Sequence, residues 1–234
     1  MPNDRFSWLG NLIYDVRPDF VVDLGDGADM RSLNSFDGTK PGQIVTQSYE
    51  RDIEAYNDAQ ERIRWRIKKN KVKSPAYFGF EGNHEYRITK AIDHDPRLHG
   101  EKYGISFKHL ETDRWFNEYW PYRNGAPDIN SYDGVYYSHF ISSGNYGTAM
   151  AGEHHAYNLL RKKMRSTTVG HSHKLDIDFK PSPRAIGLVA GCFKGADESW
   201  AGQANNDWVS GVVIKRNIED GWYDFQWVSL EQLE

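Results

Sequence analysis

Apolar residues at Phe6, Leu9, Ile13 and Val16 recur every three or four positions, so residues 4–16 are expected to form an amphipathic helix. Pro18 stops it, since the residue before a proline is pushed out of helical geometry. Residues 19–24, Asp-Phe-Val-Val-Asp-Leu, then form a short apolar run bounded by Pro18 and Gly25, the pattern of a buried strand. Residues 32–44 are polar with glycine and proline and read as a loop. Tyr49, Ile53, Tyr56, Ile63 and Ile67 mark a long helix over residues 48–69. A second buried strand follows Pro75 at 76–80. Residues 86–120 read as helical with breaks at Pro96 and Gly100, and Pro121 ends them. Further strands are expected at 134–138, 167–169 and 186–190, with a helix at 151–165. Residues 209–215 and 222–228 flank Asp220-Gly221, a strong two-residue hairpin signal.

Strands that alternate with helices predict a layered α/β domain with a largely parallel sheet, finished by antiparallel strands. In such sheets ligands bind beyond the carboxyl ends of the strands. Asp26, Asn83, His139 and His171 all fall just past predicted strand ends, so one sheet edge gathers metal-ligand side chains. The chain of 234 residues is long enough to bury a full core without cross-links. Its single cysteine, Cys192, excludes an intrachain disulfide and a cysteine-based zinc finger, and suits a reducing cytoplasm. No apolar run of membrane-spanning length occurs, and the first ten residues lack a signal-peptide core. A net charge of −4 argues against broad coating of nucleic acid.

Four short segments carry the chemistry. In Gly25-Asp26-Gly27-Ala28-Asp29, a carboxylate after a strand and a glycine can bridge two cations, one on each oxygen. Alone the same residues would read as a turn. In Gly82-Asn83-His84-Glu85, Asn83 offers a neutral amide oxygen to a cation. His84 beside it can give a proton to a leaving alkoxide, and Asp29 is the evident carboxylate to orient it. His139 gains meaning from its place in the series; by itself it would be a strand-end histidine. Gly170-His171-Ser172-His173 puts two imidazoles on one turn, and Gly170 is expected to supply the bend that aims both at metal.

Taken in order, these residues resemble the calcineurin-like metallophosphoesterase family, from about Pro18 to about Val213, most of the chain. The wording Asp23-Leu-Gly-Asp-Gly-Ala-Asp-Met30 and Gly82-Asn-His-Glu-Tyr-Arg87 is most similar to phage and bacterial branches, as is the segment 201–208. The resemblance implies a single domain over 1–234: two packed mixed β-sheets flanked by helices, with helical insertions near 45–75 and 86–125 and a C-terminal hairpin near 208–229. It implies phosphate mono- or diester hydrolysis through a metal-activated hydroxide. Asp26 would bridge two metals, Asn83, His139 and His171 would complete the second site, and His173 would belong to the first. His84 would be the general acid held by Asp29, and Arg87 would contact phosphate. Donors of this kind suit manganese first, with iron, zinc or nickel as alternatives. The substrate would be a phosphoprotein, nucleotide or nucleic acid, met in the cytoplasm, or in the host-cell cytoplasm if the chain is phage-encoded.

The family's opening Asp-x-His or Asp-x-Gln is absent, since none of the nine histidines has aspartate two places before it. Asp58-Ala59-Gln60 falls within a predicted helix and Asp224-Phe225-Gln226 within a predicted strand, so neither substitutes for it. The first strand and two ligands of the first metal site are therefore expected to be missing, with residual or absent activity, and three accounts compete: an N-terminally shortened product of a longer gene, a natural one-metal or inactive relative, or a ligand supplied from elsewhere in the chain. Glu153 and Asp176 are weak candidates to fill in. The competing reading is a non-catalytic metal-binding or interaction domain derived from that family. Arg62, Arg64, Arg66, Lys68, Lys69, Lys71 and Lys73 form a basic run, read either as cations favoured near a helix C-terminus or as a nucleic-acid contact. His154-His155, near a helix start, are expected at the surface, with a place lining the cleft as the alternative.

Overall fold

The computed structural model describes residues 4–34, 48–144, 147–195 and 202–234. It is a mixed α/β structure with several sheets and helices. The chain divides into two compact units, Phe6–Tyr122 and Arg123–Glu234, the latter joined by residues 4–5.

The Phe6–Tyr122 unit is built on helix α1 (Asp4–Val16), strand β1 (Phe20–Asp23), helix α2 (Tyr49–Lys69), strand β2 (Ala76–Phe80), helices α3 (Tyr86–His94) and α4 (Thr112–Trp115), and strand β3 (Glu118–Trp120). Ser48 caps α2 by accepting from the Arg51 N–H, and the helix ends in Arg66, Lys68 and Lys69, cations that suit its negative end. The three strands form one parallel sheet in the order β1-β2-β3, with Asp23 paired to Gly79 and Gly79 to Tyr119. Its core gathers Ile13, Tyr56, Ile63, Ile67, Tyr77, Ile88, Leu110 and Trp115. The helical reading of 86–120 is corrected at its end: Glu118–Trp120 extends and pairs with β2, where Phe116 and Tyr119 pack beside Gly79. The expected loop at 32–44 opens as a single 3-10 turn, Arg31–Leu33, and from residue 35 onward lies outside the described residues.

Arg64 also departs from its expected surface position. It sits in the core with its guanidinium 4.0 Å from the Tyr77 ring centre, donating to Gln60 and to the Trp115 carbonyl. Burial lowers its pKa, yet the surrounding ring faces and carbonyls replace water well enough to hold the cation.

The Arg123–Glu234 unit carries strands β4 (Asn130–Tyr132), β5 (Val135–Ser138), β6 (Ser142–Ser143) and β7 (Thr148–Ala149), helix α5 (His155–Lys163), strands β8 (Thr167–Val169), β9 (Leu175–Pro181), β10 (Arg184–Ala190), β11 (Gly211–Glu219) and β12 (Trp222–Ser229), and a final turn of helix α6 (Leu230–Leu233). Five strands form a mixed sheet in the order β4-β5-β8-β10-β9, parallel at its centre and antiparallel at both edges. β11 and β12 form the expected hairpin, with Asp220 and Gly221 both at positive φ as a two-residue primed turn requires. Helix α5 begins at His155 rather than 151, where Asp176 accepts the Ala156 N–H and satisfies one of the donors at the helix start. Ile141, Met150, Leu159, Val169 and Val189 are packed together in this unit's core.

Candidate metal centre

Parallel pairing of β1 and β2 sends their following loops off the same sheet edge. The loops are in contact: a Cβ on Gly82 would stand 2.2 Å from Asp26 Oδ1, so only glycine permits the approach. Asp26 itself lies in the left-handed region at φ 61°, a conformation costing about 1–2 kcal/mol for a residue other than glycine. Strain of this kind persists only where its surroundings enforce it.

Glu85 does the enforcing, and sequence reasoning missed it. Its carboxylate is buried, with Oε2 accepting from Asp26 N (2.9 Å) and Gly82 N (3.0 Å) and Oε1 from Ala28 N (2.7 Å). One side chain thus ties both loops together. Burial, and after it the Asp26 carboxylate, pushes the Glu85 pKa up, while its N–H donors pull the other way. Glu81 is buried as well, and desolvation raises its pKa to about 7 against the opposing Tyr122 N–H. Among the described residues its Oε1 has no hydrogen-bond partner. Acid side chains concentrated under little water make the end of this sheet attractive to a cation.

Asp26 Oδ1 accepts the backbone N–H of His84 at 2.9 Å. His84 Nδ1 lies 2.9 Å from Asp29 Oδ1, the pairing expected from the sequence, and its Nε2 lies 3.9 Å from Asp26 Oδ2. Asn83 sits partly exposed in the turn that leads into α3. Arg87 points its guanidinium inward, donating Nη1–H to the Asp29 carbonyl at 2.7 Å and more weakly to that of Met30. It therefore buttresses the Asp26–Met30 loop.

In the second unit, β5 and β8 run parallel with Ser138 beside Val169, so the residues after each strand meet. Gly170 N donates to the His139 carbonyl at 3.0 Å, and His139 Nε2 faces His171 Nδ1 at 3.1 Å. Two nitrogens bound to one ion at about 2.1 Å stand about 3.0–3.4 Å apart when they subtend about 90–110°. His139 is 1% exposed. The bend expected of Gly170 falls instead on the histidines, with φ 65° at His171 and 61° at His173. His173 packs edge-on against Trp208, ring centres 4.4 Å apart. Ser172, between them, lies 3.3 Å from His155 Nδ1. His155 is buried, which corrects its expected surface position, and burial lowers its pKa with Asp176 opposing. His154 is exposed as expected. Of the two substitutes considered for the absent ligands, Asp176 caps α5 and Glu153 is exposed.

Aspartate and histidine side chains here could hold a metal ion. Carboxylate oxygen and imidazole nitrogen are donors that a metal ion accepts. Compared with protein-family models, with curated proteins and with solved structures, the chain matches none.

Proposed function

We propose that the chain is a metal-dependent phosphoesterase of slow turnover, and that Asp26, Asn83, His139 and His171 share one divalent cation, manganese first. The observation that carries the reading is the His84–Asp29 pair at 2.9 Å, hung beside Asp26 on a loop that Glu85 fixes. A cation at those donors would supply Lewis-acid polarisation of a phosphoryl oxygen. Everything else falls to side chains. Asp29 holds His84 through Nδ1 and leaves Nε2 to carry the proton for the departing alkoxide. Asp26, with one oxygen held by the His84 N–H, keeps that imidazole and the cation in fixed relation. The strained backbone at Asp26, His171 and His173 supports a site whose geometry outweighs local comfort.

A second reading, a non-catalytic metal-binding domain, draws support from Arg87, whose guanidinium serves backbone carbonyls where a phosphate ligand was expected. One assay separates the two. Hydrolysis of an aryl phosphate monoester and diester is measured with manganese and with chelator, for wild type and His84→Gln. The enzyme reading predicts manganese-dependent turnover that drops about 10²-fold or more in the variant. Manganese binding without turnover supports the second reading. Equal rates in wild type and variant refute the role given to His84.

A further inference from the structure

Helix α2 has two unlike faces. Tyr56, Ala59, Gln60, Ile63, Arg64 and Ile67 are buried. Arg62, Trp65, Arg66 and Lys69 stand at i, i+3, i+4 and i+7, which places them on one outward stripe. Trp65 is 53% exposed, a large ring left in water. Helix α1 lies against α2 at Gly10, where an added Cβ would come within 2.7 Å of the Ile63 carbonyl. That close crossing lays Tyr14 beside Arg66.

Cations and rings alternate across the two helices. The guanidinium carbons of Arg17 and Arg66 stand 4.1 and 4.4 Å from the centre of the Tyr14 ring, and the Lys69 ammonium 4.5 Å from that of Trp65. Tyr14 thereby pins two guanidinium groups that would otherwise be mobile. Asp58 pairs with Arg62 at 2.7 Å and Asp15 with Arg66 at 3.7 Å. Exposed pairs of this kind are weak and exchange readily for a phosphate. Four cations face two carboxylates here, and Lys71 and Lys73 continue beyond the helix end. The chain as a whole carries −4, so this patch is charge gathered against the overall sign.

We propose that this face binds single-stranded nucleic acid, with a base stacked on Trp65 and backbone phosphates against Arg17, Arg62, Arg66 and Lys69. Charge alone would suit any polyanion. The exposed indole decides the class, because a flat ring beside cations matches an unstacked base next to its phosphate. In a duplex the base faces are stacked away and the indole gains nothing. The proposal stands independently of the phosphoesterase reading.

The test is fluorescence anisotropy of a labelled oligothymidylate of about 20 nucleotides, with chelator present so that metal chemistry plays no part. Binding is expected to weaken with salt, with a log–log slope of about −2 to −3, for three to four phosphates at about 0.7 each. Trp65→Ala weakens binding about 5- to 100-fold at nearly the same slope, and Trp65→Phe, which keeps a ring, recovers most of it. The double variant Arg66→Glu, Lys69→Glu loses binding and flattens the slope, with far-UV circular dichroism unchanged. Absence of binding at low salt, an unaffected Trp65→Ala variant, or tighter binding of duplex or polyglutamate would each overturn the proposal.

Discussion

Glu85 offers the sharpest perturbation of the site's architecture. Its carboxylate accepts from three N–H donors on two loops, at Asp26, Ala28 and Gly82. A hydrogen bond to a charged group contributes about 1.5–3 kcal/mol, and a buried donor left without an acceptor costs about 1–3 kcal/mol. Glu85→Ala removes all three hydrogen bonds and opens a void, while relieving a buried carboxylate whose pKa is already pushed up. The balance is a loss of about 3–5 kcal/mol. Glu85→Gln is more informative. A carboxamide has one acceptor oxygen; placed where Oε2 was, it still serves Asp26 and Gly82, but it turns an NH₂ group toward the Ala28 N–H. One donor facing another predicts a loss of about 1–3 kcal/mol, roughly the single-donor cost. The assay is urea unfolding followed by circular dichroism, with the slope m compared across variants to confirm that the same surface unfolds. Manganese affinity should fall in the same order, because Asp26 keeps its left-handed backbone only while its N–H is held. If Glu85→Ala lies within about 1 kcal/mol of wild type, or proves milder than Glu85→Gln, the clamp is not what fixes these loops.

Other side chains give independent checks. Lys215 is half-buried as a residue, but its ammonium is enclosed, held by Thr168 Oγ1 at 2.6 Å and Tyr137 Oη at 3.2 Å between the rings of Tyr137 and Tyr223. Burial drives its pKa well below the ordinary lysine value. Between the folded pKa and about 10.4 the unfolded chain binds more protons, so stability rises with pH across that window. Lys215→Met should therefore stabilise the protein by about 1–3 kcal/mol at neutral pH and remove that rise, as read by chemical unfolding at several pH values; a destabilised variant would show that the amine is well satisfied. Asp29→Asn should leave manganese affinity within about twofold but lower turnover at least about tenfold, since the imidazole loses its charged partner and not its place. A large fall in metal affinity in that variant would make Asp29 a ligand instead.

Much of the fold was legible where the pattern was long. Helix α2 repeats its apolar positions over 21 residues, and the Asp220-Gly221 hairpin combines turn chemistry with flanking β-branched and aromatic residues. The strand-end placement of Asp26, Asn83, His139 and His171 followed from short apolar runs that end at a glycine or a polar residue. Other elements were hidden for physical reasons. β3 and β4 are three residues each, too short to show a period, and exist because a neighbouring strand pairs with them. β9 was readable and overlooked: Leu175, Ile177 and Phe179 alternate with Asp176, Asp178 and Lys180. Arg64 looked like one cation among seven, although its spacing from Gln60 and Ile67 placed it on the buried face. Glu85 left no local signal, because its partners at Asp26 and Ala28 lie 59 and 57 residues away in sequence.

The central proposal is that Asp26, Asn83, His139 and His171 serve a single divalent cation. Anomalous scattering from crystals grown with manganese tests it most directly. The account predicts a peak bonded to all four side chains at about 2.0–2.3 Å. A peak bonded to neither histidine, or no peak near Asp26 at saturating manganese, would contradict it.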